Sequence, residues 1–98
     1  MTTEQAFNRI LHAVADPTRR RILQALKTSR SASAGPHQGL CARDLEERIR
    51  VSQPTISHHM AILEQAGVVE ARKQAQWRWY RRHETVIRGF IKDMKKFL

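Results

Sequence analysis

Residues 52–72 read SQPTISHHMAILEQAGVVEAR, and the part from Ser52 to Met60 holds no acid and no permanently charged base, although the chain is rich in arginine. Ser52 is a good N-cap and Pro54 falls in the first turn, where its missing N–H costs nothing. A helix is therefore predicted over 53–66, stopping at Gly67. Ile56, Met60 and Leu63 recur at spacings of four and three and form the face that packs on the domain. Gln53, Thr55, Ser57 and His58 are left on or near the other face. His59 lies beside the apolar stripe and reads as a partly buried packing histidine, with base reading the lesser alternative. His58 and His59 point about 100° apart and do not chelate one ion together.

On the N-terminal side, Cys41 to Ile49 is predicted helical with Leu45 and Ile49 inward, and Arg50-Val51 makes a tight connection to the next helix. Before it, TSRSASAGPHQG (28–39) has linker composition, punctuated by Gly35-Pro36, and is predicted to be a flexible loop. Asp16-Pro17 starts a helix with Ile22, Leu23 and Leu26 inward. Its Arg19, Arg20 and Arg21 either bind phosphate or merely solvate a helix. Thr2 and Gln5 make a capping box for a first helix ending near Ala15, on which Phe7, Ile10, Leu11 and Val14 form one stripe.

On the C-terminal side, Val68–Arg72 and Trp77–Arg82 are β-prone runs separated by 73–76, a two-stranded hairpin spanning 68–82. Alternation sends Trp77 and Trp79 to one face and Tyr80 to the other, which reads as strand packing, with base stacking the lesser alternative. From Glu84 onward Val86, Ile87, Phe90, Ile91 and Met94 recur with helical period. The expected fold is a single domain over 1–98, mainly α with a small β-hairpin. Its order is α-α-α-α-β-β-α, a winged helix-turn-helix.

In such a fold the second helix of the turn motif enters the DNA major groove. Short donors and acceptors there read base edges, while neighbouring cations anchor phosphates. Gln53, Thr55, Ser57 and His58 are the candidate base readers; Ser52, Arg72, Lys73, Arg78 and Arg81 are the candidate phosphate and wing contacts. The acids Glu64 and Glu70 fall beyond the base-reading part of the helix. With 18 Lys+Arg against 9 Asp+Glu, the net charge of +9 points to a polyanionic partner, and double-stranded DNA leads.

The segments ADPTRRRILQAL (15–26), DLEERIRVSQPTISHHMAILEQAGVVEARK (44–73) and WRWYRR (77–82) resemble the arsenical-repressor (ArsR) family of bacterial winged-helix transcription factors. The resemblance implies a homodimer built largely from the first and last helices (1–15 and 84–98), a recognition helix from Gln53, and repression by blocking a promoter. The dimer face then carries Phe7, Ile10, Leu11, Val86, Ile87, Phe90, Ile91 and Met94. Metal-sensing members often carry Cys-x-Cys before the recognition helix, where GLCARDLEE has only Cys41. Others place carboxylates and histidines on the last helix, which here has Glu84 and Asp93 and no histidine after His83. No metal or other cofactor is therefore expected.

Cys41 has no partner for an internal disulfide and is expected to be a half-buried, inert thiol, with a sensor role the lesser alternative. His37 lies close to it in sequence, but nothing supplies an oxyanion site, so no catalysis is expected and the chain is not read as an enzyme. No apolar run approaches a membrane span and the N-terminus lacks a signal-peptide layout, so a cytoplasmic, non-membrane protein is expected. The competing function is a winged-helix module that holds a protein or RNA partner.

Overall fold

The backbone is organised around the burial of Ile22, Leu26, Leu45, Ile56, Met60, Leu63 and Val68, whose side chains are at most 1% exposed. The structure, a computed structural model, describes residues 3–32 and 39–98. In chain order it contains α1 (Thr3–Val14), α2 (Pro17–Ala32), β1 (Leu40–Cys41), α3 (Ala42–Ile49), α4 (Gln53–Gln65), β2 (Val69–Gln74), β3 (Trp77–Arg82) and α5 (Glu84–Phe97). This is the predicted winged helix-turn-helix order with one added strand.

The added strand corrects the sequence reading at Cys41, which places that residue at the start of a helix. Leu40 pairs with Tyr80 and Cys41 with Trp79, so the sheet is a three-stranded antiparallel one of order β1-β3-β2. Two residues are too few to show a period, and their partners lie far along the chain. Gly39 makes the approach feasible: its φ is +143°, and a Cβ there would stand 2.0 Å from the Tyr80 carbonyl oxygen. The second correction concerns 28–39. Thr28–Ala32 continues α2, because no glycine or proline intervenes before Gly35 and alanine, serine and arginine do not break a helix that is already propagating. Residues 33–38 of that predicted loop, His37 among them, lie outside the described residues, as does Thr2 of the capping box.

The turn from α3 to α4 is made by Arg50, at φ +66°, with its N–H on the Glu46 carbonyl at 2.9 Å. Helix α4 ends with Gly67 at φ +84°, where the Gly67 N–H reaches the Glu64 carbonyl (2.9 Å) and the Val68 N–H the Leu63 carbonyl (3.2 Å). Those two bonds satisfy carbonyls that the helix leaves open, and the left-handed residue turns the chain into the wing. In the hairpin the predicted connection 73–76 shortens to Ala75-Gln76, since Lys73 and Gln74 pair with Arg78 and Trp77. Ala75 takes a positive φ of 54° there, a conformation that glycine or asparagine usually supplies.

The arginine run in α2 resolves into helix capping rather than either sequence reading. Arg19 is 7% exposed; its Nε donates to the Ala13 carbonyl at 2.6 Å and its Nη2 to the His12 carbonyl at 3.4 Å. Arg20 Nη1 donates to the Val14 and Ala15 carbonyls at 2.8 and 2.9 Å. Arg21 Nη2 reaches the Ile49 carbonyl at the end of α3 at 3.2 Å. Two of the three side chains thus tie off the C-terminus of α1 and the third that of α3, where carbonyls lack helical partners and the dipole favours a cation.

Candidate nucleic-acid interface

Helix α4 is seated on the core by Ile56, Met60 and Leu63, which are 0 to 1% exposed, so its remaining faces are presented by a rigid base. Gln53, Thr55, Ser57 and His58 are all exposed. Ser52 occupies the N-cap with extended backbone, but its hydroxyl is not bonded to a backbone N–H. It lies 2.9 Å from the Thr55 hydroxyl instead, so these two side chains act as one unit at the start of the helix.

His59 is partly buried, as expected from its place beside the stripe. Its Nδ1 lies 3.2 Å from Arg19 Nη1. A guanidinium only donates, so Nδ1 accepts and the imidazole is neutral in this arrangement. Burial holds its pKa below the ordinary 6.5; Asp16 opposes that shift, and the charges of Arg19 and His58 reinforce it. Asp16 in turn accepts from the Arg19 backbone N–H at 3.0 Å, which holds its carboxyl below the ordinary carboxylate range.

The wing divides its cations into two kinds. Arg72 and Lys73 are exposed near the hairpin tip, and among the described residues no carboxylate lies within 4 Å of either. Arg78 and Arg81 are not free: Arg78 Nη2 stands 3.1 and 3.0 Å from the two Glu64 oxygens, and Arg81 Nε 2.9 Å from Glu70. Glu70 also faces His83 Nε2 at 3.4 Å. The acids read from sequence as lying beyond the base-reading region are thus partners of the wing arginines. A fifth wing cation, Arg82, pairs with Glu84 at 2.9 Å, with side chains 13 and 22% exposed, and fastens β3 to the start of α5.

Between α3, the N-terminal half of α4 and the wing runs an open groove of about 520 Å³. Gln53 and Ser57 line it with Arg43, Gln76, Trp77 and Arg78. Sequence inspection missed Arg43 and Gln76, and favoured strand packing over base stacking for Trp77, which here lines the groove. The one signal for them was the shoulder position of Gln53 and Ser57 on α4, which turns them toward whatever the chain packs alongside. Tyr80, by contrast, is buried at 7% exposure and closes the groove floor, and burial raises its pKa. Trp77 is 43% exposed on the opposite alternation.

Cys41 is more deeply buried than expected, at 7% exposure, and donates its Sγ–H to Asp44 Oδ2 at 3.3 Å. The same oxygen takes the Cys41 backbone N–H at 3.2 Å, so thiol and carboxylate form the capping box of α3. Among the described residues no three His, Cys, Asp or Glu side chains converge as a metal site. Of the candidate dimer residues, Phe7 and Ile10 are 6 and 7% exposed within the chain and pack α1 on it. Leu11 and Ile91 remain 42 and 55% exposed, and Val86, Ile87 and Phe90 are partly buried against the core.

Residues 16–71 match the family described as "Bacterial regulatory protein, arsR family". The chain is 35% identical over 92 residues to the transcriptional repressor SdpR of Bacillus subtilis, covering 94% of this chain and 92% of that one. It is also 35% identical over 85 residues to the arsenical resistance operon repressor of Staphylococcus aureus, covering 87% and 73% of the two chains. Among solved structures it superposes on HlyU of Vibrio cholerae with a TM-score of 0.67 and 28% identity, over 99% of this chain and 97% of that one. A homodimeric winged helix-turn-helix DNA-binding domain from Mycobacterium bovis gives a TM-score of 0.73 over 92% of this chain and 76% of that one. At 23% identity that likeness bears on the fold alone. No described helix is long and apolar enough to cross a membrane. The matched family is one of transcriptional regulators, not of enzymes, and with more than half of its residues inside the family match this chain belongs to the ArsR family of winged helix-turn-helix regulators.

Proposed function

We propose that the chain works as a homodimer that binds an inverted-repeat operator and represses transcription, its own gene included. The observation that carries this reading is the make-up of α4. A helix anchored by Ile56, Met60 and Leu63 exposes uncharged hydrogen-bonding side chains along its N-terminal half and stands beside a cationic wing. Gln53, Thr55, Ser57 and His58 read base edges, with Ser52 buttressing Thr55. Arg72 and Lys73 take phosphate. Sequence information resides in the first group, because phosphate contacts are the same for every duplex.

The test is a set of titrations on two duplexes, one enriched from a random pool by the wild-type protein and one scrambled, each at several salt concentrations. Ser57→Ala and His58→Ala should each lose about 1 to 3 kcal/mol on the enriched duplex and relax preference at one or two base pairs, with little change on scrambled DNA. Arg72→Ala and Lys73→Ala should weaken both duplexes alike and reduce the salt slope by about one counterion for each phosphate no longer neutralised. Equal losses on both duplexes for Ser57→Ala and His58→Ala would overturn base reading by this helix. A wild-type specificity ratio far below about 10³ would favour a nonspecific module over an operator-binding repressor.

A further inference from the structure

Glu64 sits in the last turn of α4, which has no basic residue of its own. A carboxylate is disfavoured there, because the helix already presents open carbonyls and the negative end of its dipole. Helix stability does not account for this residue, so its contact across to the wing stands out. Both Glu64 oxygens lie within 3.1 Å of Arg78 Nη2. The Arg78 guanidinium is 6.0 Å from the centre of the buried Tyr80 ring, and its pKa is raised by the Glu64 hydrogen bond and charge.

The placement of the pair matters. Backbone continuity joins α4 to the wing through Gly67 and Val68, at the base of β2, where Val69 pairs with Arg82. Arg78 lies nearer the tip, opposite Lys73. The ion pair is therefore a second attachment between helix and wing: its helix end lies beside the covalent connection, but its wing end lies further along β3, toward the hairpin tip. At 3.6 residues per turn Gln53, Ser57 and Glu64 fall within about 40° of one another around the axis. The carboxylate consequently stands on the same stripe as two proposed base readers, and the groove between stripe and wing is lined by Gln53, Ser57 and Arg78 together.

We infer that the Glu64–Arg78 pair is a strut that sets the angle between wing and recognition helix, making Arg78 a positioning residue for operator discrimination and not a phosphate anchor. The inference rests on the operator-binding reading above. The two roles for Arg78 predict opposite effects of removing the acid. A phosphate anchor is held back by Glu64, so neutralising the acid frees it and tightens binding to any duplex. A strut loses its footing, so neutralising the acid loosens the register of the helix in the groove and degrades discrimination.

The experiment uses full-length Glu64→Gln, Arg78→Gln and the charge-exchanged double variant Glu64→Arg/Arg78→Glu on the enriched and scrambled duplexes at several salt concentrations. Each single variant should reduce the enriched-to-scrambled affinity ratio by about tenfold, comparable to spoiling the reading of one base pair. Arg78→Gln should leave the salt slope on the enriched duplex unchanged, and the exchanged pair should recover most of the ratio. The pair is partly exposed, so the single variants should lower the Tm by no more than about 5 °C, which separates lost geometry from lost folding. Tighter binding of Glu64→Gln to both duplexes, with a salt slope for Arg78→Gln reduced by about one, would overturn the strut. An unchanged ratio in both single variants would overturn it as well. Failure of the wild type to distinguish the two duplexes would instead remove the operator-binding reading beneath it.

Discussion

Arg19 is the residue whose chemistry reaches furthest, because one buried guanidinium closes the C-terminus of α1 through the Ala13 and His12 carbonyls and touches α4 through His59. Replacing it with a side chain of similar length and no donors strands those carbonyls. Arg19→Met should therefore cost about 2 to 3 kcal/mol in urea denaturation, while Arg20→Met, exposed and capping from outside, should cost less than about 1. The burial of His59, reinforced by Arg19, makes the fold sensitive to acid. His59 has a folded pKa below its ordinary 6.5, so the unfolded chain takes up the proton first as pH falls. Its contribution to stability is complete above about 6.5 and is lost as pH drops through the lower folded value. Protonation also sets an imidazolium against the Arg19 guanidinium. Thermal unfolding at pH 7.5 and pH 5 should show a larger loss of Tm for the wild type than for His59→Gln, whose amide oxygen accepts from Arg19 without titrating. Equal losses would show that His59 is not the source of the acid sensitivity.

At the scale of elements, the strands and turns depend on two glycines in different ways. Gly39 is held at φ +143° against the Tyr80 carbonyl, so Gly39→Ala collides with backbone and should cost at least about 2 kcal/mol by prying β1 off the sheet. Gly67 has φ +84° but open space around it, so Gly67→Ala should cost only the left-handed strain, about 1 to 2 kcal/mol. Denaturant titrations of the two variants check the order. These positions also show why some elements are legible in the sequence and others are not. Helix α4 is legible because Ile56, Met60 and Leu63 state their period locally and Ser52, Pro54 and Gly67 mark its ends. Strand β1 is not, since two residues carry no period and their pairing is decided by β3, some forty residues on. The exposed polar residues of α4 follow from sequence because a helix face follows from spacing. The ties from Arg78 to Glu64 and Arg19 to His59 do not, because each joins elements whose relative placement spacing alone does not express; that from Arg81 to Glu70 depends on the hairpin register, which the turn at Ala75-Gln76 sets and the predicted connection 73–76 does not.

For the whole molecule the unfinished business is α5. It is amphipathic, yet none of its residues is buried: Val86, Ile87 and Phe90 lean on the core, while Ile91 is 55% exposed and Phe97 36%. Beside it Leu11 on α1 is 42% exposed. Phe7 meets Phe90 and Phe97 at centroid distances of 5.3 and 4.9 Å, so α1 and α5 form one continuous apolar surface. Among the described residues nothing else covers Ile91 or Leu11. On the homodimer reading proposed above, a second copy would cover this surface under a two-fold axis, which would also present two copies of α4 to half-sites about 34 to 36 Å apart. The structure identifies the residue that tests this most cleanly. Phe90→Asp strikes both the Phe7 contact inside the protomer and the dimer face, so it should unfold as well as dissociate. Ile91→Asp strikes the exposed face alone, and should give a folded monomer by circular dichroism and sedimentation velocity at micromolar concentration. Because each half-site contributes its own contacts, that monomer should bind the full operator no more tightly than a single half-site, while its salt slope falls to about half. A dimer of Ile91→Asp that retains wild-type sedimentation would show that the exposed ridge of α5 is not where two copies meet.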